Sequence, residues 1–537
     1  MREPAPNQPP PLADYNMFDG DVALQEALAP AGAGAVDDLR AIGAIAGSAQ
    51  AQEWGRLANE YPPVLRTHDR YGNRIDEIEY HPAYHELMRV AIANGLHGAP
   101  WRSGEPNAHL MRAAKFYLWS RVEAGHGCPI SMTYAAVPAL RANPALAKEW
   151  EPRLTSRENP ALAGMAMTEK QGGSDVRANT TRAVCDGTTP FGDAYRLNGH
   201  KWFCSAPASD GFLVLAQASE GLTCFFMPRI TPDGARNNVF IQRLKEKLGN
   251  RSNASSEIEL QDAFAVRVGD EGRGVHTIVE MVNMTRLDCI NGSAAVMREA
   301  AAQAVHHAAH RRAFGALLIE QPVMQNVLAD LALETEAAML LLVRLARATD
   351  NAHADPREAL IKRIGTAIGK YYVCKRAPVV SAEALECLGG NGYVEDSGMP
   401  HLYREAPLNG IWEGSGNINA LDVLRILTGQ PNALEALRAE IEPAASDKRI
   451  AAAASALFAE IADLTQAQPR EIAERLCLLW QAALFAQTPS NPAADLFIES
   501  RIAGRWGRTL GTLPGSAEHK AIAQRANPLQ SVEYTAR

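Results

Sequence analysis

Lysine is scarce in this chain: of 53 basic residues among 537, 11 are lysine and 42 are arginine. The arginine excess is read as compositional and carries no inference about phosphate binding. Paired cysteines are missing too. The eight cysteines (128, 185, 204, 224, 289, 374, 387 and 477) never form a Cys-x-x-Cys pair. Such scatter argues against structural zinc, so no metal is expected, and for buried reduced thiols in a cytoplasmic protein. No stretch of about 18 residues is apolar and uncharged, so no membrane-spanning helix is expected. Met1 to Asn16 is polar and proline-rich, without the charged start and apolar run of a secretory signal.

Several nucleotide and nucleophile motifs are also absent. No Gly-x-Gly-x-x-Gly follows a strand, which excludes an ordinary dinucleotide-binding Rossmann unit. There is no Gly-x-Ser-x-Gly elbow and no P-loop. The nearest miss, Gly365 to Lys370, is one residue short, lacks the hydroxyl and lies in a helical pattern.

What is present suits a large folded chain. With 47% apolar and 21% charged residues it can bury several cores, and its length suggests about three to four domains. A net charge of -8 confines any nucleic-acid surface to a local patch. The pattern is helical to residue 160, with apolar residues three and four apart in Pro82 to Ala93 and Ala108 to Glu123. From 161 to 270 short strand-like runs replace it: Tyr195 to Leu197, Phe212 to Ala216, Thr223 to Met227, Val239 to Gln242 and Glu257 to Leu260. Turn clusters such as Asn198-Gly199 and Thr231-Pro232-Asp233-Gly234 separate them, which predicts an antiparallel β domain. From 271 to 430 the segments Gly274 to Arg312, Pro322 to Asp350 and Pro356 to Leu388 predict a bundle of long helices. Gly429-Gln430-Pro431-Asn432 marks a boundary before a last helical region, 431 to 537. The fold class is mainly α with a central antiparallel β domain.

Four constellations could carry chemistry. Met165-Ala166-Met167-Thr168-Glu169-Lys170-Gln171-Gly172-Gly173-Ser174-Asp175 offers a tight turn with free backbone N–H groups, suited to a phosphate or a polar heterocycle edge, or else an ordinary β-turn. Trp202-Phe203-Cys204-Ser205 is strand core or an aromatic platform followed by a hydroxyl. Arg311-Arg312 before Phe314-Gly315 could hold phosphates or cap the end of a helix near Gly315. Ile411-Trp412-Glu413-Gly414-Ser415-Gly416-Asn417, with the glycine-rich Leu388 to Tyr393, places a carboxylate on a loop in apolar company. Glu413 there is a base on a weakly acidic C–H or a helix-capping glutamate. His306 and His310 stand one turn apart, but no carboxylate or cysteine joins them locally, so they are expected to be packed or solvated.

Together these motifs resemble the acyl-CoA dehydrogenase superfamily over about residues 150 to 430. Within it, the Thr168 to Val176 and Trp412 to Asn417 strings and the helical region after 430 are most similar to the flavoproteins of the bacterial adaptive response to DNA alkylation. The resemblance implies a helical domain, a β-barrel or sandwich, a four-helix bundle and a C-terminal helical addition. It also implies FAD. Met165, Met167 and Thr168 would meet the flavin edge, and Gly173 and Ser174 the pyrophosphate. Phe203 would lie on the ring face, with Cys204 and Ser205 beside it, and Ile411, Ser415 and Asn417 would also touch FAD. Arg311 would reach FAD from a neighbouring subunit, which implies a homotetramer. Glu413 would be the base that takes the α-proton of an acyl-CoA. Pro322 and Glu386 depart from the family's glutamines, in contacts that cross the subunit interface.

The same likeness implies binding of double-stranded DNA. Residues 431–537 carry 11 basic and 12 acidic groups, but 500–537 carry six against two. Arg501, Arg505 and Arg508, at i, i+4 and i+7, are expected to form one helical face towards phosphates, with Trp506 beside them.

Overall fold

The structure is a computed structural model that describes residues 7–462, 464–488 and 491–529. The chain divides into two compact units. One comprises Met1–Gln52, His109–Val122 and Cys289–Arg537; the other comprises Glu53–Ala108 and Glu123–Asp288.

The second unit is built on strands. An N-terminal hairpin, β1 (Val64–His68) and β2 (Arg74–Glu79), lies inside a region predicted as helical. Its strands are only half-buried, so they lack the apolar alternation that would have revealed them. Arg74 donates to the Ile241 carbonyl at 2.6 Å, and Asp76 accepts from the Ile241 N–H at 3.2 Å. Seven further strands follow: β3 (Ala163–Ala166), β4 (Arg182–Thr189), β5 (Gly192–Ser205), β6 (Gly211–Ala218), β7 (Gly221–Pro228), β8 (Val239–Leu244) and β9 (Ser255–Val268). They run in the order β3-β6-β4-β5-β9-β7, with β8 on β9, and β7 pairs back onto β6. That last pairing closes the sheet on itself. Leu197, Phe212, Val214, Phe225, Ile258 and Leu260 fill its interior, each worth about 1.5–3 kcal/mol when fully buried.

Two sequence expectations need correction here. The sheet is not purely antiparallel, because β3 and β4 both run parallel to β6. Nor is Asn198-Gly199 a turn. It lies inside the continuous strand β5, where the register against β9 slips between Leu197 and Gly199. The Asn198 side chain pairs with Asp262 at 2.7 and 2.9 Å, so the slip is a side-chain-braced bulge and not a reversal. Helices Pro82–Ala93, Gly127–Leu140 and Pro144–Leu154 also belong to the unit. Asn143 caps the last of these, accepting from Leu146 N–H at 3.1 Å, and donates to the Phe191 and Arg267 carbonyls of the sheet.

The first unit is helical. The helix Gly274–His310 runs into it, followed by Pro322–Asn351, Pro356–Cys387 and Gly416–Gly429. The region beyond adds Pro431–Ile441, Lys448–Ile461 and Pro469–Ala486, then Ala493–Phe497, which passes into a π-turn, Ile498–Ile502. Proline occupies the first turn at 322, 356, 431 and 469, where its missing N–H costs nothing. Gly365 and Gly369, which mimic a phosphate loop in sequence, are packing glycines. A Cβ at Gly365 would lie 2.6 Å from the Trp480 ring. Arg344 ties the late helices to the bundle through Glu440 at 2.6 Å and Glu358 at 2.8 Å. Among the described residues no helix is long and apolar enough to cross a membrane.

Of the histidines expected to be packed or solvated, His306 is buried and His310 is exposed. His306 bonds the Pro10 carbonyl at 2.8 Å and His310 bonds the His306 carbonyl at 2.8 Å. None of the eight cysteines forms a disulfide, and Cys185 departs from the expected burial by being exposed.

Candidate active site

The β unit carries one set of predicted residues. β3 delivers Met165 into the sheet, buried to 8% exposure, and the chain then turns at Met167-Thr168-Glu169. Glu169 is fully buried and organises the turn. Its carboxylate accepts from Lys201 Nζ at 2.8 Å, Thr180 N–H at 2.6 Å, Thr180 Oγ1 at 2.9 Å and Thr181 N–H at 3.1 Å. Burial alone would push this carboxyl up. The Lys201 charge and these hydrogen bonds outweigh that and bring it down to about 2. The Met167 carbonyl accepts from Asn179 at 2.9 Å, and the Thr168 carbonyl from the Trp202 N–H at 2.8 Å.

That last bond places Thr168 next to Trp202-Phe203 on β5. Phe203 leaves 49% of its surface open, an apolar ring with a face to offer. Lys245 Nζ stands 4.5 Å from the Phe203 ring centroid and 3.7 Å from that of Trp202. Ser205 lies 3.4 Å from the Ser255 hydroxyl. The Cys204 thiol points into the sheet core and burial pushes it up to about 12, so this position can offer a ligand only its backbone. Gly173 and Ser174 are exposed at the end of the turn. A Cβ at Gly173 would meet the Thr168 hydroxyl at 2.5 Å, so the turn closes only around glycine. A half-open aromatic ring, the hydroxyls of Thr168 and Ser205 and the exposed Gly173-Ser174 backbone fit a flavin dinucleotide.

The helical unit carries the second set. Ile411, 64% exposed, opens a loop in which Glu413 takes φ +57 and Gly414 φ +103. The left-handed region is unfavourable for a glutamate, so the loop must be held from outside. The holding groups were not recognised from sequence. Lys370, 1% exposed, donates to the Asn409 carbonyl and, at 3.2 Å, to the Gly414 carbonyl. Asn419 donates to the Gly414 carbonyl at 2.6 Å and to that of Ser415 at 3.1 Å, and Asn409 accepts from the Trp412 indole at 2.8 Å. Ser415 stands at the N-cap of Gly416–Gly429 without a side-chain cap bond. Arg470 donates to Asn417 Oδ1 at 3.3 Å, bringing the late helix Pro469–Ala486 to a predicted cofactor residue.

Arg311 does not cap a helix running to Gly315. The helix stops at His310, and residues 312–317 form a small hairpin with Phe314 (φ +51) and Gly315 (φ +82) at its turn. The Arg311 guanidinium donates to the Asn7 carbonyl at 2.6 Å. Gln321, next to the family departure at Pro322, donates to the Ala313 carbonyl of the hairpin at 3.3 Å.

The predicted DNA face does not form. Regular helix ends at Ile502, so Arg501, Arg505 and Arg508 share no helical face. Arg501 is 8% exposed, bonds Asp330 and Glu334, and stacks 3.9 Å from the Trp506 ring centroid. The two acids of the helix Pro322–Asn351 drew it inwards. Arg505 pairs with Glu499, and Arg508 alone of the three is exposed without a carboxylate partner among the described residues.

Residues 7–159 match the family model of the adaptive response protein AidB N-terminal domain. Residues 164–263 match the acyl-CoA dehydrogenase middle domain, and 272–428 its C-terminal domain. The chain is 45% identical over 518 residues to the putative acyl-CoA dehydrogenase AidB of Escherichia coli K12, covering 93% of this chain and 94% of that protein. The structure resembles Caenorhabditis elegans ACDH-11 in complex with C11-CoA, with a TM-score of 0.85 at 27% identity over 97% of this chain and 95% of that one. An acyl-CoA dehydrogenase from Bacillus anthracis complexed with FAD shares the fold, with a TM-score of 0.64 at 20% identity over 83% of each chain. The chain therefore belongs to the acyl-CoA dehydrogenase family, in the branch that carries the AidB N-terminal domain.

Proposed function

We propose that the chain is an FAD-dependent oxidoreductase acting on the CH–CH bond of an acyl-CoA, of the kind that serves the adaptive response to alkylating agents. The observation that carries the chemical part is the pair of loops described above. One presents Thr168 beside Phe203 and Ser205 of β5, and the other holds Glu413 in a braced left-handed turn. A bound flavin supplies the acceptor for a hydride. The Glu413 carboxylate takes the α-proton. The electron pair of the broken Cα–H bond forms the new Cα=Cβ bond as the β-hydride leaves with its own pair. The thioester becomes an enoyl thioester and the two electrons depart with the hydride. The Glu413 N–H steadies the charge that gathers on the thioester oxygen, provided water is kept away.

Phe203 gives the flavin a ring to lie on, Thr168 and Ser205 bond its edge, and the Gly173-Ser174 backbone meets the pyrophosphate. Met165, Met167 and the Cys204 backbone, and Ile411, Ser415 and Asn417 of the helical unit, are the remaining cofactor residues of this reading. Arg311 completes the site of a neighbouring copy in a homotetramer. Exposed apolar residues of the helical unit support such assembly: Phe314 is 99%, Tyr393 84% and Val323 79% exposed.

Binding of double-stranded DNA rests on the full-length likeness to AidB. A specific observation favours a second reading, a metabolic acyl-CoA dehydrogenase whose C-terminal helices bind no DNA. Several arginines of that region are neutralised internally: Arg449 by Asp447 and Asp495, Arg475 by Glu460, and Arg501 by Asp330 and Glu334.

Purified protein should bind FAD with a flavin spectrum; a protein that remains colourless with FAD ends the first premise. Glu413→Gln should keep the flavin and lose acyl-CoA-dependent bleaching, whereas persistent bleaching means another base. Anisotropy with duplex DNA separates the two readings, since salt-sensitive binding supports the first and no binding the second.

A further inference from the structure

Lys370 belongs to no constellation recognised in the sequence, and the chemistry proposed above does not use it. It is nevertheless the most deeply buried charged group beneath the Glu413 loop. Its side chain is 1% exposed, in the middle of the helix Pro356–Cys387. Among the described residues no carboxylate lies within ion-pair reach of its nitrogen, which is unusual for a buried ammonium. Its partners are two backbone carbonyls, those of Asn409 and Gly414. These two groups stand on either side of Glu413.

A backbone that must place a glutamate at φ +57 gains nothing locally from doing so. The conformation persists only where neighbours over-determine it. Lys370 supplies that constraint from below by joining the two ends of the loop through one nitrogen. Asn419 supplies a second hold on Gly414 and Ser415, and Trp412 closes the loop onto the Asn409 side chain at 2.8 Å. Lys370 is the only one of the three that links both carbonyls and brings a formal charge. Release of either carbonyl would let Glu413 relax towards a right-handed φ and carry its carboxylate away.

We propose that Lys370 is a positioning residue for the base, clamping the Asn409 and Gly414 carbonyls so that the Glu413 carboxylate is presented in one orientation. The inference rests on the reading of Glu413 as the base, and the two can fail separately. A clamp of this kind acts on the rate of the step that uses the base and leaves binding of flavin and thioester nearly untouched.

The test uses the FAD-loaded protein with Lys370→Met, Lys370→Arg and Glu413→Gln, and isovaleryl-CoA as the probe. Anaerobic stopped-flow gives the rate of flavin bleaching at saturation and the apparent Kd of the probe. Hydrogen–deuterium exchange gives the protection of the segment 408–418. Lys370→Met should keep its flavin and a Kd within about threefold of the unaltered protein, bleach about 100-fold more slowly, and lose protection in 408–418 alone. Lys370→Arg should recover at least tenfold of that rate. Undiminished bleaching or unchanged protection in Lys370→Met overturns the clamp, as does an Arg variant no faster than Met. If Lys370→Met does not fold, the Arg variant decides: wild-type protection with more than a tenth of the rate supports the clamp, and less than a hundredth overturns it. If Glu413→Gln bleaches normally, the reading of the base fails, and the exchange arm alone then judges the clamp. The exchange arm also decides where isovaleryl-CoA bleaches none of the proteins.

Discussion

Lys201 and Lys370 are both about 1% exposed, and each stands beneath a turn that carries proposed site residues. They differ in what the ammonium meets. Lys201 faces the Glu169 carboxylate at 2.8 Å and the Leu215 carbonyl at 2.7 Å, so the pair is locally neutral. Lys370 meets carbonyl dipoles, and its charge is not matched by a carboxylate among the described residues. The neutral pair organises the Met167-Thr168 turn as a scaffold, its two charges offsetting each other while Glu169 also accepts from Thr180 and Thr181. The carbonyl-held lysine leaves a positive charge beside a loop with an acid at its centre. Burial of a charge is thus not one phenomenon, since its consequence depends on whether the partner is an opposite charge or a dipole.

The largest expected effect breaks the compensated pair. Lys201→Met leaves Glu169 buried without a counter-charge, and should cost about 3–5 kcal/mol in urea unfolding. Adding Glu169→Leu to it should return most of that loss, because two apolar groups need no compensation; a double variant as unstable as the single one would contradict the neutral-pair account. Lys370→Met comes next, at about 1–3 kcal/mol, since it strips a donor from two carbonyls without stranding a charge. A larger loss than that of Lys201→Met would reverse the comparison.

Acid should separate the two sites further. The Glu169 carboxyl, held at about 2, stabilises the fold above the ordinary glutamate range near 4.5, and that contribution fades as pH falls towards 2. Glu334, also held at about 2 between Arg376 and Arg501, adds to the same trend. The double variant at 201 and 169 should therefore lose less stability between pH 4.5 and 2 than the unaltered protein, measured by unfolding at each pH. The smallest effect is expected at Gly416, where a Cβ would press on Lys375 Cε at 2.6 Å. That contact is with a flexible chain, so Gly416→Ala should shift stability by less than about 1 kcal/mol.

The internal arginines show where sequence reasoning went astray. Spacing at i, i+4 and i+7 is sound evidence for one face only if the segment is helical, and the chain leaves the helix after Ile502. The i, i+4 spacing of His306 and His310 was judged by what surrounded it, and in the structure each ring bonds a backbone carbonyl, His306 buried and His310 exposed. The β1–β2 hairpin escaped notice because half-exposed strands leave no strong period. Helix starts were legible because proline in a first turn is a local steric signal, as at Pro322 and Pro356.

The sequence by itself determined the helical and strand segments of the larger elements, the motif strings around Thr168 and Glu413, and the family those strings resemble. These are short-range properties, carried by periodicity, turn chemistry and contiguous residue types. Only the tertiary structure decided that β3 runs parallel to β6 and that the sheet closes through β7. It also decided that Arg501 turns inwards to Asp330 and that Lys370 reaches a carbonyl 39 residues along the chain. Each of those outcomes depends on which distant groups meet in a dry interior, where a charge must find a partner and a carbonyl a donor.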